Sequence, residues 1–142
     1  MKIYKGAAAI AIHAPVEKIW TILLDIATWH EWDANFIRVE GTVTLGATVT
    51  IMSRIIPDRA VSVAVTELVP QFRMTWTSRM LAGECIAAHT YLLIPLSEGN
   101  IDFVTYEFVS GPGAATIAAA IPDMTESFKQ FASALKQRAE TP

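Results

Sequence analysis

The sequence predicts one α+β domain, a curved antiparallel sheet of about seven strands wrapped around a long C-terminal helix. Three observations predict it. Hydrophobic alternation with a period of two dominates residues 35–109. Helical spacing returns only after Gly111-Pro112-Gly113, and one short helical pattern follows the first strand. Sequential antiparallel hairpins make a sheet that must bury one face, and only the last helix is long and apolar enough to cover it. A chain of 142 residues can bury one core. No linker, repeat or low-complexity tract divides it, so residues 1–142 read as a single domain.

Taken in order, residues 3–13 alternate, with Ile10 and Ile12 on one face, and read as a strand. Pro15 suits a first helical position, where its missing N–H would have no partner. Glu17 in the first turn suits the helix dipole, and Val16, Ile19, Trp20 and Leu23 form an apolar stripe. Thr28 is placed to cap a second short helix carrying Trp29 and Trp32. Strands follow at 35–43, around Val49 and Ile51, at Val61-Val63-Val65, around Met74 and Trp76, at 84–94 and at 100–109. Leu45-Gly46, Pro57-Asp58 and Ser97-Glu98-Gly99-Asn100 supply turns. Residues 114–121 suit a helix, a break is expected near 121–123 because Pro122 cannot sit inside a regular helix, and Met124, Phe128, Phe131 and Leu135 mark the buried face of the last helix.

Composition narrows the function. Apolar residues make up 52% of the chain and charged residues 18%, against about 45–50% and about 25% in typical domains. The excess must fill a core, line a ligand cavity or form a subunit contact. A net charge of −3 without a Lys/Arg stripe argues against nucleic acid, and an acidic pI near 5.5 against anionic lipid surfaces. Cys85 is the one cysteine, so no internal disulfide and no Cys/His metal cluster is expected, and a reducing, cytoplasmic location follows. The opening MKIYKGAAAIAIHAP reads as a strand and not as a secretion signal. No window approaches the roughly 18 apolar residues of a membrane span, so no membrane insertion is expected.

The stretch Ile12-His13-Ala14-Pro15-Val16-Glu17-Lys18-Ile19-Trp20, followed by Leu23, Asp25 and Trp32, resembles the opening of the START-like, polyketide cyclase/dehydrase (SRPBCC) superfamily. Gly46, Val65-x-Glu67-x-x-Pro70, Met74-x-Trp76, His89-x-Tyr91-x-Leu93, Gly99 and Gly111 continue the resemblance over nearly the whole chain. Ala34 departs from it, standing where a proline is expected. The resemblance implies the helix-grip fold and a pocket between sheet and helix. It does not name a ligand, since lipid carriers, cyclases, receptors and chaperone cofactors share the scaffold.

The expected ligand is a hydrophobic or amphipathic molecule, lipid- or polyketide-like, with no cofactor and no metal. Its expected contacts are Ser53, Val63, Met74, Trp76, Cys85 and Tyr91 on the strands, and Ile121, Met124 and Phe128 from the helical region, with Trp32 at the mouth by the resemblance. In the last strand Val104, Tyr106 and Phe108 compete with Phe103 and Thr105 for the inner face; periodicity does not decide, and the reading takes Tyr106 and Phe108. His89 is the candidate acid or base of a cyclase- or dehydratase-type enzyme, with Tyr106 as its oxyanion partner. The alternatives are a hydrogen-bonded core histidine in a carrier, and a protein-interaction module with no ligand. Leu92 and Ile94 make the outer face of their strand apolar as well, which predicts a homodimer through that face.

Overall fold

In the computed structural model, which describes residues 2–142, β1 (Lys2–His13) turns Ala8, Ile10 and Ile12 inward and leaves Tyr4 exposed. A bulge between Tyr4 and Gly6 changes the register against the last strand. Such an extra residue bends a strand. After β1 come α1 (Val16–Leu24), a short 3₁₀ turn and α2 (Trp29–Trp32). Six strands follow: β2 (Phe36–Glu40), β3 (Thr48–Ser53), β4 (Val61–Val69), β5 (Arg73–Met80), β6 (Cys85–Pro95) and β7 (Asn100–Ser110). All pair antiparallel with their sequence neighbours, and β7 pairs with β1, giving the order β1-β7-β6-β5-β4-β3-β2. This is the expected seven-stranded helix-grip sheet.

Two local expectations are corrected. Pro15 occupies the cap position one residue before α1, where its carbonyl accepts from the Lys18 and Ile19 N–H groups. The Thr28 hydroxyl turns back to donate to the Asp25 carbonyl and caps nothing.

The C-terminal helical region breaks where proline requires it. α3 (Ala114–Ala120) ends at Ile121, whose extended backbone (φ −97°, ψ 133°) is the conformation favoured before a proline. α4 (Thr125–Glu140) then restarts, with Asp123 Oδ1 accepting from the Thr125 N–H at 2.8 Å. α4 lies along β1 and is laced to it. The Met124 N–H donates to the Lys5 carbonyl at 2.8 Å, Lys136 Nζ to the Ala11 carbonyl at 2.8 Å, and the His13 N–H to Glu140 Oε2 at 2.8 Å.

Gly6 makes that approach possible. A β-carbon there would stand 3.0 Å from the Met124 carbonyl carbon and 3.0 Å from the Phe128 ring. Gly6→Ala is therefore expected to push the start of α4 off the sheet and to cost about 1–3 kcal/mol. Urea unfolding checks this; an unchanged midpoint would mean the helix start yields freely.

The buried side chains form two groups. The main core lies under α4 and α1. A smaller one, beneath α3, gathers Cys85, Ala87, Val109 and Ala114 with Ile117 and Ile121 packed on it. No helix among the described residues is long and apolar enough to cross a membrane.

Candidate functional site

An aromatic plug fills part of the space between sheet and helix. Trp29, fully buried, stacks on Trp76 at 5.2 Å and meets Phe131 at 5.0 Å, Phe36 at 5.4 Å and Tyr91 at 5.9 Å edge-on or tilted. Its Nε1 donates to the Ile22 carbonyl at 3.2 Å, which fixes α2 against α1.

Beside the plug a cavity of about 150 Å³ remains. Its walls are Phe36, Ile51 and Val61 from the sheet and Met124, Phe128 and Phe131 from the α4 side, with Ile55 and Ile56 from the β3–β4 loop. The loop is held by Arg54, whose Nε donates to the Ala34 carbonyl at 2.9 Å, and by the Ile56 N–H donating to Ser53 Oγ at 3.4 Å.

The polar lining comes from four places: Asp33 and Asn35 after α2, Ser53 of β3, Ser127 of α4, and the facing residues His89, Tyr91, Thr105 and Glu107 of β6 and β7. The cross-strand register sets the last group, with His89 opposite Glu107 and Tyr91 opposite Thr105. The His89 ring stacks on Tyr91 at 4.3 Å and tilts against Phe128 at 4.6 Å.

Hydrogen bonding assigns the imidazole tautomer. Thr105 Oγ1 donates to the Thr90 carbonyl at 3.0 Å, so its remaining role toward His89 Nε2, 2.6 Å away, is acceptor. Nε2 therefore carries the proton and Nδ1 the lone pair. Burial pushes the imidazole pKa down from 6.5 to about 3, so His89 is neutral at ordinary pH. It is an acceptor there, and a weak base.

The carboxyl groups move the other way. Burial raises Glu107 from 4.5 to about 7, against the opposing pull of the Lys5 ammonium. Burial also raises Asp33, opposed by the Asn35 N–H that donates to its Oδ1 at 2.9 Å. Tyr91 is raised by burial and by the charges of Glu107 and Asp33. Its hydroxyl stays protonated.

Five of the expected site residues do line this cavity: Ser53, His89, Tyr91, Met124 and Phe128. The others go elsewhere. Trp76 and Met74 are consumed by the solid core, Val63 packs against that core, and Trp32 lies on Phe131 at 5.1 Å and not at the cavity mouth. Cys85 and Ile121 belong to the cluster beneath α3.

Tyr106 and Phe108 are on the opposite side of the sheet. With Lys2, Tyr4, Glu67 and Arg73 they line an open depression of about 340 Å³ on the outer face, where Arg73 Nη2 donates to Tyr106 Oη at 3.5 Å. Tyr106 therefore cannot partner His89. Sequence reasoning missed Asp33, Asn35, Thr105, Glu107 and Phe131 as site residues. For Thr105 and Glu107 the available signal was the fixed parity across the β6–β7 hairpin, and for Phe131 it was the helical stripe shared with Met124 and Phe128. Among the described residues no group of three His, Cys, Asp or Glu side chains is placed to hold a metal ion.

The sequence matches, over residues 5–140, the family model described as polyketide cyclase/dehydrase and lipid transport. No protein of curated function matches it. Among solved structures it is similar to a hypothetical protein of Helicobacter pylori, with TM-score 0.75, 16% identity, and coverage of 94% of this chain and 86% of that one. It is similar to a START superfamily protein of Mycobacterium smegmatis, with TM-score 0.69, 14% identity and coverage of 97% and 98%. A third is norcoclaurine synthase of Thalictrum flavum in complex with dopamine and hydroxybenzaldehyde, with TM-score 0.71, 11% identity and coverage of 97% and 86%. At these identities the likeness is one of fold.

Proposed function

The chain belongs to the polyketide cyclase/dehydrase and lipid transport family, and on that premise we propose that it binds one small, largely apolar molecule of single-ring size between the sheet and α4. The observation that carries the reading is the cavity itself. It has apolar walls on several sides and polar groups gathered from β6, β7 and the segment after α2, which is the usual make-up of a ligand site. Its volume of about 150 Å³ is below the roughly 300–1,000 Å³ of drug-sized pockets and near that of an apolar cavity that accepts benzene. A ring with a short polar arm fits; a long acyl chain does not. The norcoclaurine synthase relative holds ring compounds of that size, dopamine and hydroxybenzaldehyde, which supports the same scale here.

Benzyl alcohol is a suitable neutral probe. Burying about 150 Å² of its apolar surface at about 25 cal/mol per Å² contributes about 4 kcal/mol before association costs, so binding in the millimolar range or weaker is expected. Ser127→Leu, on the cavity wall contributed by α4, fills the space with a good helix former and is expected to weaken binding at least tenfold. Isothermal titration of both proteins checks this. Equal affinity in the two, or no binding by the parent protein, defeats the reading.

A further inference from the structure

Resting on that reading, we infer that the cavity selects a ring compound bearing a protonated amine over its neutral and carboxylate counterparts. The polar lining is rich in acceptors and holds no Lys or Arg. Asp33 is more than nine-tenths buried, and only its Oδ1 has a protein donor. Glu107 has no hydrogen-bond partner among the described residues, and neither has the Nδ1 lone pair of His89 that the tautomer leaves free.

Neither Lys5 nor Arg54 lines the cavity, although the Lys5 ammonium acts on Glu107 from outside it. Lys5 Nζ donates to the Ala118 carbonyl at 3.0 Å, and Arg54 Nε to the Ala34 carbonyl at 2.9 Å. From β6, His89 stands opposite Glu107 and Tyr91 opposite Thr105, both as neutral groups; from α4, Ser127 and Phe128 add no charge. With His89 neutral at ordinary pH, the formal charge on the lining is negative. An anionic ligand would be buried beside Asp33 and Glu107 without a counter-charge, which is strongly unfavourable. An ammonium supplies three donors to a wall that offers acceptors, and it places a counter-ion for the carboxylates inside the cavity, where the lining has none. Such a cation also favours the charged form of Glu107, so its binding below neutral pH releases a proton from that side chain.

The test compares benzylamine, benzyl alcohol and benzoate with the whole protein at pH 8 by calorimetry. Benzylamine is expected to bind at least tenfold more tightly than benzyl alcohol, and benzoate more weakly than either. In Glu107→Gln the ratio of the first two affinities is expected to fall at least fivefold, and Asp33→Asn tests the second carboxylate by the same ratio. At pH 6, benzylamine binding is expected to release protons, seen as heats that differ between buffers of different ionisation enthalpy. Benzyl alcohol binding as tightly as benzylamine, or benzoate tightest, overturns the charge selection and leaves the cavity reading standing. A ratio unchanged in both variants overturns the roles of the two carboxylates. Failure of all three probes overturns the cavity reading as well.

Discussion

Trp29→Ala is expected to lower the free energy of unfolding by about 3–5 kcal/mol, the range for deleting a buried aromatic ring. The side chain is fully buried and touches aromatic rings from four other elements, namely Phe36 of β2, Trp76 of β5, Tyr91 of β6 and Phe131 of α4. The hydrogen bond to Ile22 that joins α1 to α2 is lost with it. Because the neighbours come from separate elements, they cannot collapse together into the space, and most of the cavity penalty survives. Tyr91 and Phe131 also wall the cavity between sheet and α4, so the vacated ring space adjoins it. Trp32→Phe offers the contrast: Trp32 Nε1 is buried with no hydrogen-bond partner, and removing an unsatisfied donor offsets part of the lost packing. Its cost is expected to stay below about 1.5 kcal/mol. Urea unfolding of the two variants with equal slopes measures the difference. A loss below about 2 kcal/mol for Trp29→Ala would mean that the stack carries little of the core energy.

The architecture was legible because it rests on periodicity and punctuation. Alternation in β1, β3 and β4, the Ser97–Asn100 turn and the break at Pro122 each impose a local geometry that tertiary packing did not overrule. The site was legible at Ser53 on the alternating β3, at His89 and Tyr91 on β6, and at Met124 and Phe128 on the helical stripe. β7 is the instructive failure. Its even positions hold Val104, Tyr106 and Phe108, while its odd positions hold Phe103, Thr105 and Glu107, so hydrophobicity points the wrong way. The inner face carries Thr105 and Glu107 into the cavity lining, and the outer face carries aromatics that pack on Tyr4. Likewise Trp76 and Met74 were rightly placed inside, yet nothing in a sequence says which part of an interior is filled and which is hollow. That is decided by where the rings of Trp29 and Phe131 come to rest. Asp33 and Asn35, on the turn into β2, enter the cavity through tertiary placement alone.

Glu107→Gln is expected to stabilise the protein by about 2–3 kcal/mol at pH 8 and by almost nothing at pH 4.5. The carboxyl is raised to about 7 in the folded state from an ordinary 4.5, with burial as the main cause. Between those two values the folded state holds a proton that the unfolded chain has released, so this group makes stability fall as pH rises through that window. At about 1.4 kcal/mol per pH unit the full effect is on the order of 3 kcal/mol, reduced where solvent reaches a half-buried carboxylate. His89 acts in the opposite sense. Its pKa falls from 6.5 unfolded to about 3 folded, so the unfolded chain takes up a proton that the native state refuses, and stability falls as pH drops from 6.5 toward 3. Between pH 4.5 and 6.5 the two slopes cancel, and they leave the parent protein nearly insensitive to pH there. Asp33, also raised by burial, adds to the Glu107 sense. The variant loses that compensation, so its stability should decline by about 1.4 kcal/mol per pH unit on acidification below 6.5. Unfolding curves at pH 8, 6.5, 5.5 and 4.5 measure both effects. An equal stability of the two proteins at pH 8 would mean that water reaches Glu107 freely. A stabilising variant has a functional meaning: the native chain keeps, in its one cavity lined by both sheet and α4 among the described residues, an acid that weakens the empty fold at neutral pH. A bound counter-ion is what would recover the loss.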